Sequence, residues 1–442
     1  MSSRVSGVRR RERERDGRIL ALALPALGTL AVEPLYVLVD TAIVGRLGTV
    51  PLAGLAVAST VLTTLITVCN FLAYGTTARV AFLSGRGDRR GGATVAAQGL
   101  WLAAAIGLPL AIGVALGGRR LAGLVGGEGA VLEAATTYLR ISAVGIPLVL
   151  VALVGNGYLR GVSDTRTPLF VVAVANVVNL VLEVVLVYGF DLGVAGSAWG
   201  TVVAQLLAAA WFLVLVGRRI IGEGVTVAPV RAEIVRLMVA GRHLLMRTAA
   251  LLGTLALATS TAARVGAATL AGHQIALQVH TFLALVLDSL AIPGQILVAT
   301  ALGVGDVDEA RDVSRRLVRL GVRIGAGVGL VVILTSWALP HAFSSDPTVV
   351  DRATLALVLV GLAQVPAAIA FVLDGVLIGS SNFRFLKWSM LAGLVVFLPF
   401  ALAVLRWHSL GIAGIWTGIV VWMLFRAAVN GIRFRGQAWI AA

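Results

Sequence analysis

The sequence predicts an all-α integral membrane protein with twelve transmembrane helices in two parallel six-helix lobes. The first observation is composition: 59% of the 442 residues are hydrophobic and 13% are charged, which is too apolar for an ordinary water-soluble chain. The second is a series of uncharged runs that are each long enough to cross a bilayer. The third is an internal repeat that divides the chain into two halves.

A helix needs about 20 apolar residues to cross the hydrocarbon core. The predicted spans are 19–44, 51–75, 93–117, 131–157, 167–188, 194–216, 235–259, 267–302, 320–340, 353–378, 386–405 and 410–431. Because six spans return the chain to its starting side, the two halves share one orientation. The predicted domains are a charged N-terminal segment 1–18, an N-lobe 19–217, an inter-lobe linker 218–234, a C-lobe 235–432 and a tail 433–442.

The internal repeat has a constant offset of 270 − 52 = 218 residues. LAGLAVASTVLTTL at 52–65 aligns with LAGHQIALQVHTFL at 270–283, and GVAGSAWGTVV at 193 aligns with GIAGIWTGIVV at 411. The same offset pairs Gly85, Asp88, Gly157, Leu159, Gly161, Ser163 and Arg166 with Gly303, Asp306, Gly375, Leu377, Gly379, Ser381 and Arg384. A difference between equivalent membrane positions therefore indicates a function that one half alone performs.

The distribution of positive charge predicts the orientation. The connections after the second, fourth, sixth, eighth and tenth spans carry 17 Arg and Lys residues, whereas the other connections carry 6. Because cytoplasmic loops are enriched in these residues, both termini are predicted to be cytoplasmic. The net charge of +15 then reports topology rather than a nucleic-acid surface.

Several chemistries are excluded by single residues. Cys69 is the only cysteine, so the chain can form no internal disulfide or cysteine-based metal site. Lys387 is the only lysine and no glycine precedes it, which excludes a P-loop and ATP hydrolysis by this chain. The charged head before the first span lacks the apolar core and small-residue cleavage site expected of a signal peptide.

Ionisable residues within the spans are the candidates for function, because a charge near the bilayer centre costs about 2.5–3.5 kcal/mol. Asp40 lies in the first span between apolar residues, and Asn176, Asn179 and Glu183 share one face of the fifth. The further candidates are Glu33, Arg140, Arg247, Asp288 and Asp374.

Comparison of the halves isolates one cluster. The second half has Ala258, Leu394, Phe397, Ala401 and Ile419 where the first has Asp40, Asn176, Asn179, Glu183 and Thr201. Interhelical hydrogen bonds, worth about 0.6 kcal/mol each, would serve either half equally, so the one-sided cluster favours a functional site. Asn156 alone has an acidic counterpart, Asp374, which is expected to have a separate role in the second half.

The eighth span presents polar side chains on successive turns, namely His273, Gln274, Gln278 and His280. These side chains are expected to line a cavity. A metal site is not expected there, because no carboxylate stands at a matching spacing. No cofactor is predicted.

Five segments, in order, resemble signatures of a known family. They are PLYVLVDTAIVGRLG, YLRGVSDTRTPL, NVVNLVLEVVLVYGFDLGVAGSAWGT, GHQIALQVHTFLALVLDSLAIPGQ and FVLDGVLIGSSNFR. They are similar to the multidrug and toxic compound extrusion (MATE) transporters, specifically the DinF-like branch. The resemblance implies a central V-shaped cavity between the lobes, alternating access, and export of amphipathic, often cationic, organic compounds in exchange for H⁺ or Na⁺.

The resemblance also implies the roles of individual residues. The family's cation or proton site corresponds to Asp40, Asn179, Glu183 and Thr201, which are also the expected ligands if the ion is Na⁺. The expected cavity and substrate residues are Tyr138, Asn156, Asn176, Asp374, Gln274 and Gln278. Relatives usually have aspartate at position 183, so the longer Glu183 changes the reach of that carboxylate.

The expected partners are small organic molecules, H⁺ or Na⁺ and membrane lipid, without nucleic acid. A monomer in a bacterial inner (plasma) membrane is expected. Two alternatives stay open at this point. A lipid-linked precursor flippase would line its cavity with cationic residues, and an intramembrane enzyme would need a nucleophile and base at helical spacing.

Overall fold

The computed structural model describes residues 2–440, and within this range it describes no side chains for residues 2–14 and 33. The sequence candidate Glu33 thus lies outside the described side chains. The helices are α1 (Ser2–Gly45), α2 (Thr49–Cys69), α3 (Phe71–Gly85), α4 (Arg89–Leu124), α5 (Gly129–Ser142), α6 (Gly145–Gly161), α7 (Arg166–Val184), α8 (Gly193–Gly222), α9 (Arg231–Val265), α10 (Ala267–Val304), α11 (Val307–Thr335), α12 (Pro347–Gly379), α13 (Phe383–Arg406) and α14 (Gly411–Arg435). A π-helical turn, Val185–Gly189, follows α7, and short 3-10 turns cover Leu339–Ala342 and His408–Leu410.

The predicted all-helical membrane fold is confirmed. Over the described part of the chain, eleven helical segments are long and apolar enough to cross a membrane, or twelve if the bent pair α5–α6 counts as one span. The bend of 52° falls between Ser142 and Gly145. Pro147 explains its position, because proline cannot donate to the carbonyl four residues earlier, that of Ala143.

The repeat inferred from sequence recurs in the backbone. Asp88 caps α4 by accepting from the amide of Gly91, and Asp306 caps α11 by accepting from that of Glu309. Left-handed backbone occurs at the equivalent pairs Gly48/Gly266, Gly87/Gly305, Ser163/Ser381 and Gly193/Gly411. A shared left-handed serine is unusual, because residues other than glycine rarely adopt positive φ. The offset of 218 therefore relates local structures as well as letters.

The chain divides into two compact units, Gly28–Gly241 and Met1–Leu27 with Arg242–Ala442. These divisions fall inside the first and seventh predicted spans rather than in the connections. Ion pairs account for the assignment of the helix starts. Arg316 of α11 donates two hydrogen bonds to Asp16 of α1, at 2.6 and 2.5 Å, and Arg79 of α3 lies 3.4 Å from Glu233 of α9.

Small residues allow close helix packing within each unit. In the first unit, a Cβ atom on Gly155 of α6 would lie 2.5 Å from Phe212 of α8. In the second, a Cβ atom on Gly375 of α12 would lie 2.2 Å from the carbonyl oxygen of Ala291 of α10. Such backbone approach is typical of membrane helices, whose association depends on van der Waals contact.

Candidate functional site

The first unit buries an acidic pair between α1, α7 and α8. Asp40 of α1 is 4% exposed and accepts a hydrogen bond of 2.7 Å from the Ser197 hydroxyl of α8. Glu183, in the last turn of α7, is fully buried, and its carboxyl group interacts directly with that of Asp40. The structure therefore brings together two carboxylates that are 143 residues apart in sequence (183 − 40).

Glu183 lacks the hydrogen-bond donors that a buried carboxylate requires. Within the described residues, neither of its oxygen atoms has a hydrogen-bond partner, and the same holds for Oδ1 of Asn179. A buried polar atom without a partner costs about 1–3 kcal/mol. The pair is thus incomplete as two bare carboxylates, and a proton or a cation between the acceptors would remove that cost.

Hydrogen bonds from α8 surround the pair and hold α1 against it. The Thr201 hydroxyl lies 2.8 Å from that of Tyr36 and donates to the carbonyl of Ser197. The amide of Asn179 approaches Thr201 at 3.5 Å. Sequence analysis missed Tyr36 and Ser197, although each stands four residues before a predicted site residue and hence on the same helix face.

The local backbone explains how α7 and α8 position these groups. α7 ends in the π-helical turn directly after Glu183, and such turns are frequent at functional sites. Tyr188 in that turn donates a hydrogen bond of 2.6 Å to the carbonyl of Ile43 in α1. On α8, a Cβ atom on Gly200 would lie 3.2 Å from Oδ1 of Asn179. Glycine at this position therefore lets α8 approach α7 beside Glu183.

The other predicted residues of the first half divide into two groups. Tyr138 is buried and its hydroxyl interacts with Thr201 and Ser197, so it joins the acidic pair's surroundings. Asn176 donates to the carbonyl of Val172 in its own helix. The Oδ1 atom of Asn156 is buried and has no hydrogen-bond partner among the described residues. The hydrogen bonds of the described residues thus link Tyr138, but neither asparagine, to the pair.

The equivalent region of the second half is an apolar core. Ala258, Phe397, Ala401 and Ile419, the counterparts of Asp40, Asn179, Glu183 and Thr201, are all fully buried in one hydrophobic cluster. The one-sidedness read from the sequence is therefore a structural difference between the two units.

The second unit has a polar centre of its own, built around Asp374 of α12. Its Oδ2 atom accepts from Arg247 of α9 at 2.5 Å and from Arg426 of α14 at 2.7 Å. Its Oδ1 atom accepts from Asn430 at 2.7 Å. Asp374 is predicted as a cavity residue, and the structure places it in this buried charge network. Arg426, which is 1% exposed, was missed, although an arginine within WMLFRAAVN is itself an intramembrane charge.

The predicted glutamines of α10 line a cavity in the second unit. Gln274 and Gln278 are exposed one turn apart beside Phe343 and Ser344, around a volume of about 340 Å³. His273 and His280 instead pack on either side of the buried Trp416 ring, with centroids 5.7 and 5.9 Å away. In the portion of the chain that is described, no three His, Cys, Asp or Glu side chains could together hold a metal ion.

Comparison with known proteins adds independent information. The family model described as MatE matches residues 25–185 and 239–403, one segment in each half. Protein DETOXIFICATION 44, chloroplastic, of Arabidopsis thaliana is 33% identical over 427 residues, which cover 94% of this chain and 81% of that protein. DNA damage-inducible protein F of Escherichia coli (strain K12) is 30% identical over 443 residues, covering 97% of this chain and 94% of that protein.

A solved structure shares the fold. It is the outward-facing conformation of a multidrug resistance MATE family transporter of the MOP superfamily, with a TM-score of 0.85 and 20% identity. The alignment covers 95% of this chain and 94% of that one.

Proposed function

The chain belongs to the MATE family of multi-pass membrane transporters, and from this premise we propose that it exports amphipathic organic compounds in exchange for H⁺. The proton is proposed to bind the Asp40–Glu183 pair. The single observation that carries the proposal is the burial of two adjoining carboxyl groups, one of which has no hydrogen-bond donor within the described residues. As a member of this family, the chain is a transporter and not an enzyme.

The chemistry of the pair supports a proton shared between its members. Two neighbouring buried carboxylates cannot both carry charge cheaply, because burial and mutual repulsion disfavour that state. Ser197 donates to Asp40, whereas Glu183 receives no hydrogen bond from the described residues. A protonated Glu183 can donate to Asp40, which supplies the hydrogen bond that the bare pair lacks.

The proton is proposed to control the position of α1. Its outer part is held by the bonds of Tyr36 to Thr201, of Asp40 to Ser197, and of Tyr188 to Ile43. Protonation from outside neutralises the pair and lets α1, weakened by Pro25 and Pro34, repack and release substrate. Deprotonation toward the cytoplasm restores a negative site that attracts a cationic substrate.

Na⁺ is the second candidate for the coupling ion. It is supported by the buried acceptors without donors, since Oδ1 of Asn179 and both oxygens of Glu183 are oxygen ligands of the kind that hard cations prefer. The same four residues, Asp40, Asn179, Glu183 and Thr201, would then supply the ligands.

A flippase for lipid-linked precursors is the less supported alternative. Such a protein would need cationic side chains that are available to a phosphate group. The intramembrane arginines Arg247 and Arg426 already donate to Asp374. We therefore retain antiport as the proposed activity, in a bacterial inner membrane with both termini in the cytoplasm and with the protein acting as a monomer.

Efflux from proteoliposomes tests the proposal and separates the two ions. Purified protein is reconstituted with a cationic amphipathic dye, and a proton gradient and a sodium gradient are imposed in separate experiments. Dye movement is expected with the proton gradient and not with the sodium gradient at fixed pH. Movement with sodium alone would assign the site to Na⁺, and movement with neither gradient would contradict antiport. Empty liposomes under each gradient give the leak rate.

A further inference from the structure

One face of α11 combines a line of arginines with a line of exposed apolar residues. Arg315, Arg319 and Arg323 are exposed and recur every four residues, so they follow one face of the helix. Eight residues separate the first from the third, which is about 12 Å along the axis. The line lies at the helix end for which the arginine distribution predicts the cytoplasmic side.

The same face continues as a hydrocarbon-facing surface. Leu330, Val331 and Leu334 stand seven to eleven residues beyond Arg323, which returns them to its side of the helix. They are 57%, 59% and 62% exposed. The opposite side of α11 packs on α10 and α12, through buried residues that include Leu317 and Gly321.

We propose that this face binds an anionic phospholipid. The headgroup phosphate would accept hydrogen bonds from the arginines, and the acyl chains would lie along Leu330 and Leu334. Guanidinium groups suit this role because their planar array of donors matches phosphate oxygens. The apolar continuation favours a lipid over a free phosphate ion, since only a lipid uses both parts of the face.

The acidic groups near the line do not cancel it. Asp312 lies 4.0 Å from Arg315 but 3.2 Å from Arg15 of α1, so it is shared. Asp16 interacts electrostatically with Arg319 and Arg323, yet both of its oxygens accept hydrogen bonds from Arg316. Positive charge is therefore in excess where a phosphate would lie.

The first half offers an internal comparison. At the offset of 218 residues, α4 carries Ala97, Trp101 and Ala105 in place of the three arginines. The two helices begin at equivalent aspartate caps, so the positions correspond in structure as well. A general need for cytoplasmic positive charge could be met at either helix, whereas an ordered line on α11 alone indicates a local binding role.

Native mass spectrometry of the full chain in detergent tests the proposal. Wild type is titrated with phosphatidylglycerol, with phosphatidylcholine of the same acyl chains, and with glycerol 1-phosphate. Phosphatidylglycerol is expected to bind about tenfold more tightly than phosphatidylcholine. The triple variant Arg315→Gln/Arg319→Gln/Arg323→Gln is expected to lose about tenfold or more in affinity for phosphatidylglycerol, since each arginine contributes to holding an anionic headgroup.

A matched variant removes the same charge elsewhere on the predicted cytoplasmic side. Arg218→Gln/Arg219→Gln/Arg231→Gln is expected to change the affinity by less than about twofold, because these exposed arginines form no line with an apolar continuation. An equal loss in both triple variants, or an unchanged affinity in the α11 variant, would overturn the proposal. Equally tight binding of glycerol 1-phosphate would overturn it in favour of a free-phosphate site. Should the α11 variant not elute as a single species, Arg323→Gln alone is expected to show a smaller loss in the same direction, and wild-type affinity in that variant would overturn the proposal.

Discussion

Replacing Asp40 with asparagine is expected to reduce ion-driven efflux by about tenfold or more, in the range of typical coupling free energies. Asparagine has nearly the same shape and its carbonyl oxygen can still accept from Ser197, so the contact between α1 and α8 is retained. The variant loses only the carboxylate that shares a proton with Glu183. Dye efflux from proteoliposomes, normalised to the amount of folded protein, measures the effect.

Two further variants separate this charge from general damage. Asp191→Asn makes the same change at an exposed site whose left-handed backbone asparagine tolerates, and it is expected to transport like wild type. Glu183→Asp keeps the second carboxylate and is expected to retain activity, whereas Glu183→Gln is expected to lose it. Efflux by Asp40→Asn at the wild-type rate would show that the pair does not couple transport.

Replacing Asp374 with asparagine is expected to destabilise the protein by about 3–5 kcal/mol, the usual cost of breaking a buried ion pair. The variant leaves Arg247 and Arg426 next to a neutral side chain, and Arg426 is almost completely buried. The measurement is the fraction of detergent-solubilised protein that stays monodisperse after heating. A marked shift of this melting curve to lower temperature is expected.

The equivalent position in the first half provides the control. Asn156→Leu removes a polar side chain whose Oδ1 atom has no partner in the described structure, so little loss of stability is expected. The double variant Asp374→Asn/Arg426→Gln should recover part of the loss, because it removes one of the uncompensated charges. If Asp374→Asn melts like wild type but transports a different range of compounds, then the predicted cavity role of Asp374 is the better account.

The sequence was sufficient for the parts of this fold that depend on composition and period. Apolar length predicted the spans, and the offset of 218 predicted local features as small as the left-handed Ser163 and Ser381. The bend between α5 and α6 was not predicted, although Pro147 carries its signal. The division of α1 between two compact units depends on ion pairs such as Asp16 with Arg316, which no local pattern contains.

The candidate site shows the same boundary between local and tertiary information. The shared face of Asn179 and Glu183 follows from helical spacing, and the apolar counterparts in the second half follow from the repeat. Tyr36 could have been found from its position one turn before Asp40. The pairing of Asp374 with Arg426 could not, because 52 residues separate them (426 − 374) and helical periodicity does not specify which helices face each other.

The central claim is that the Asp40–Glu183 pair holds a proton which substrate binding displaces. Its most direct test is the release of protons when a cationic substrate is added to purified protein in weakly buffered detergent solution containing a pH indicator. Wild type is expected to release protons in proportion to the substrate bound, because the cation replaces the proton's charge at the site. The variant Asp40→Asn/Glu183→Gln is expected to release none. Equal release from wild type and from this variant would contradict the claim.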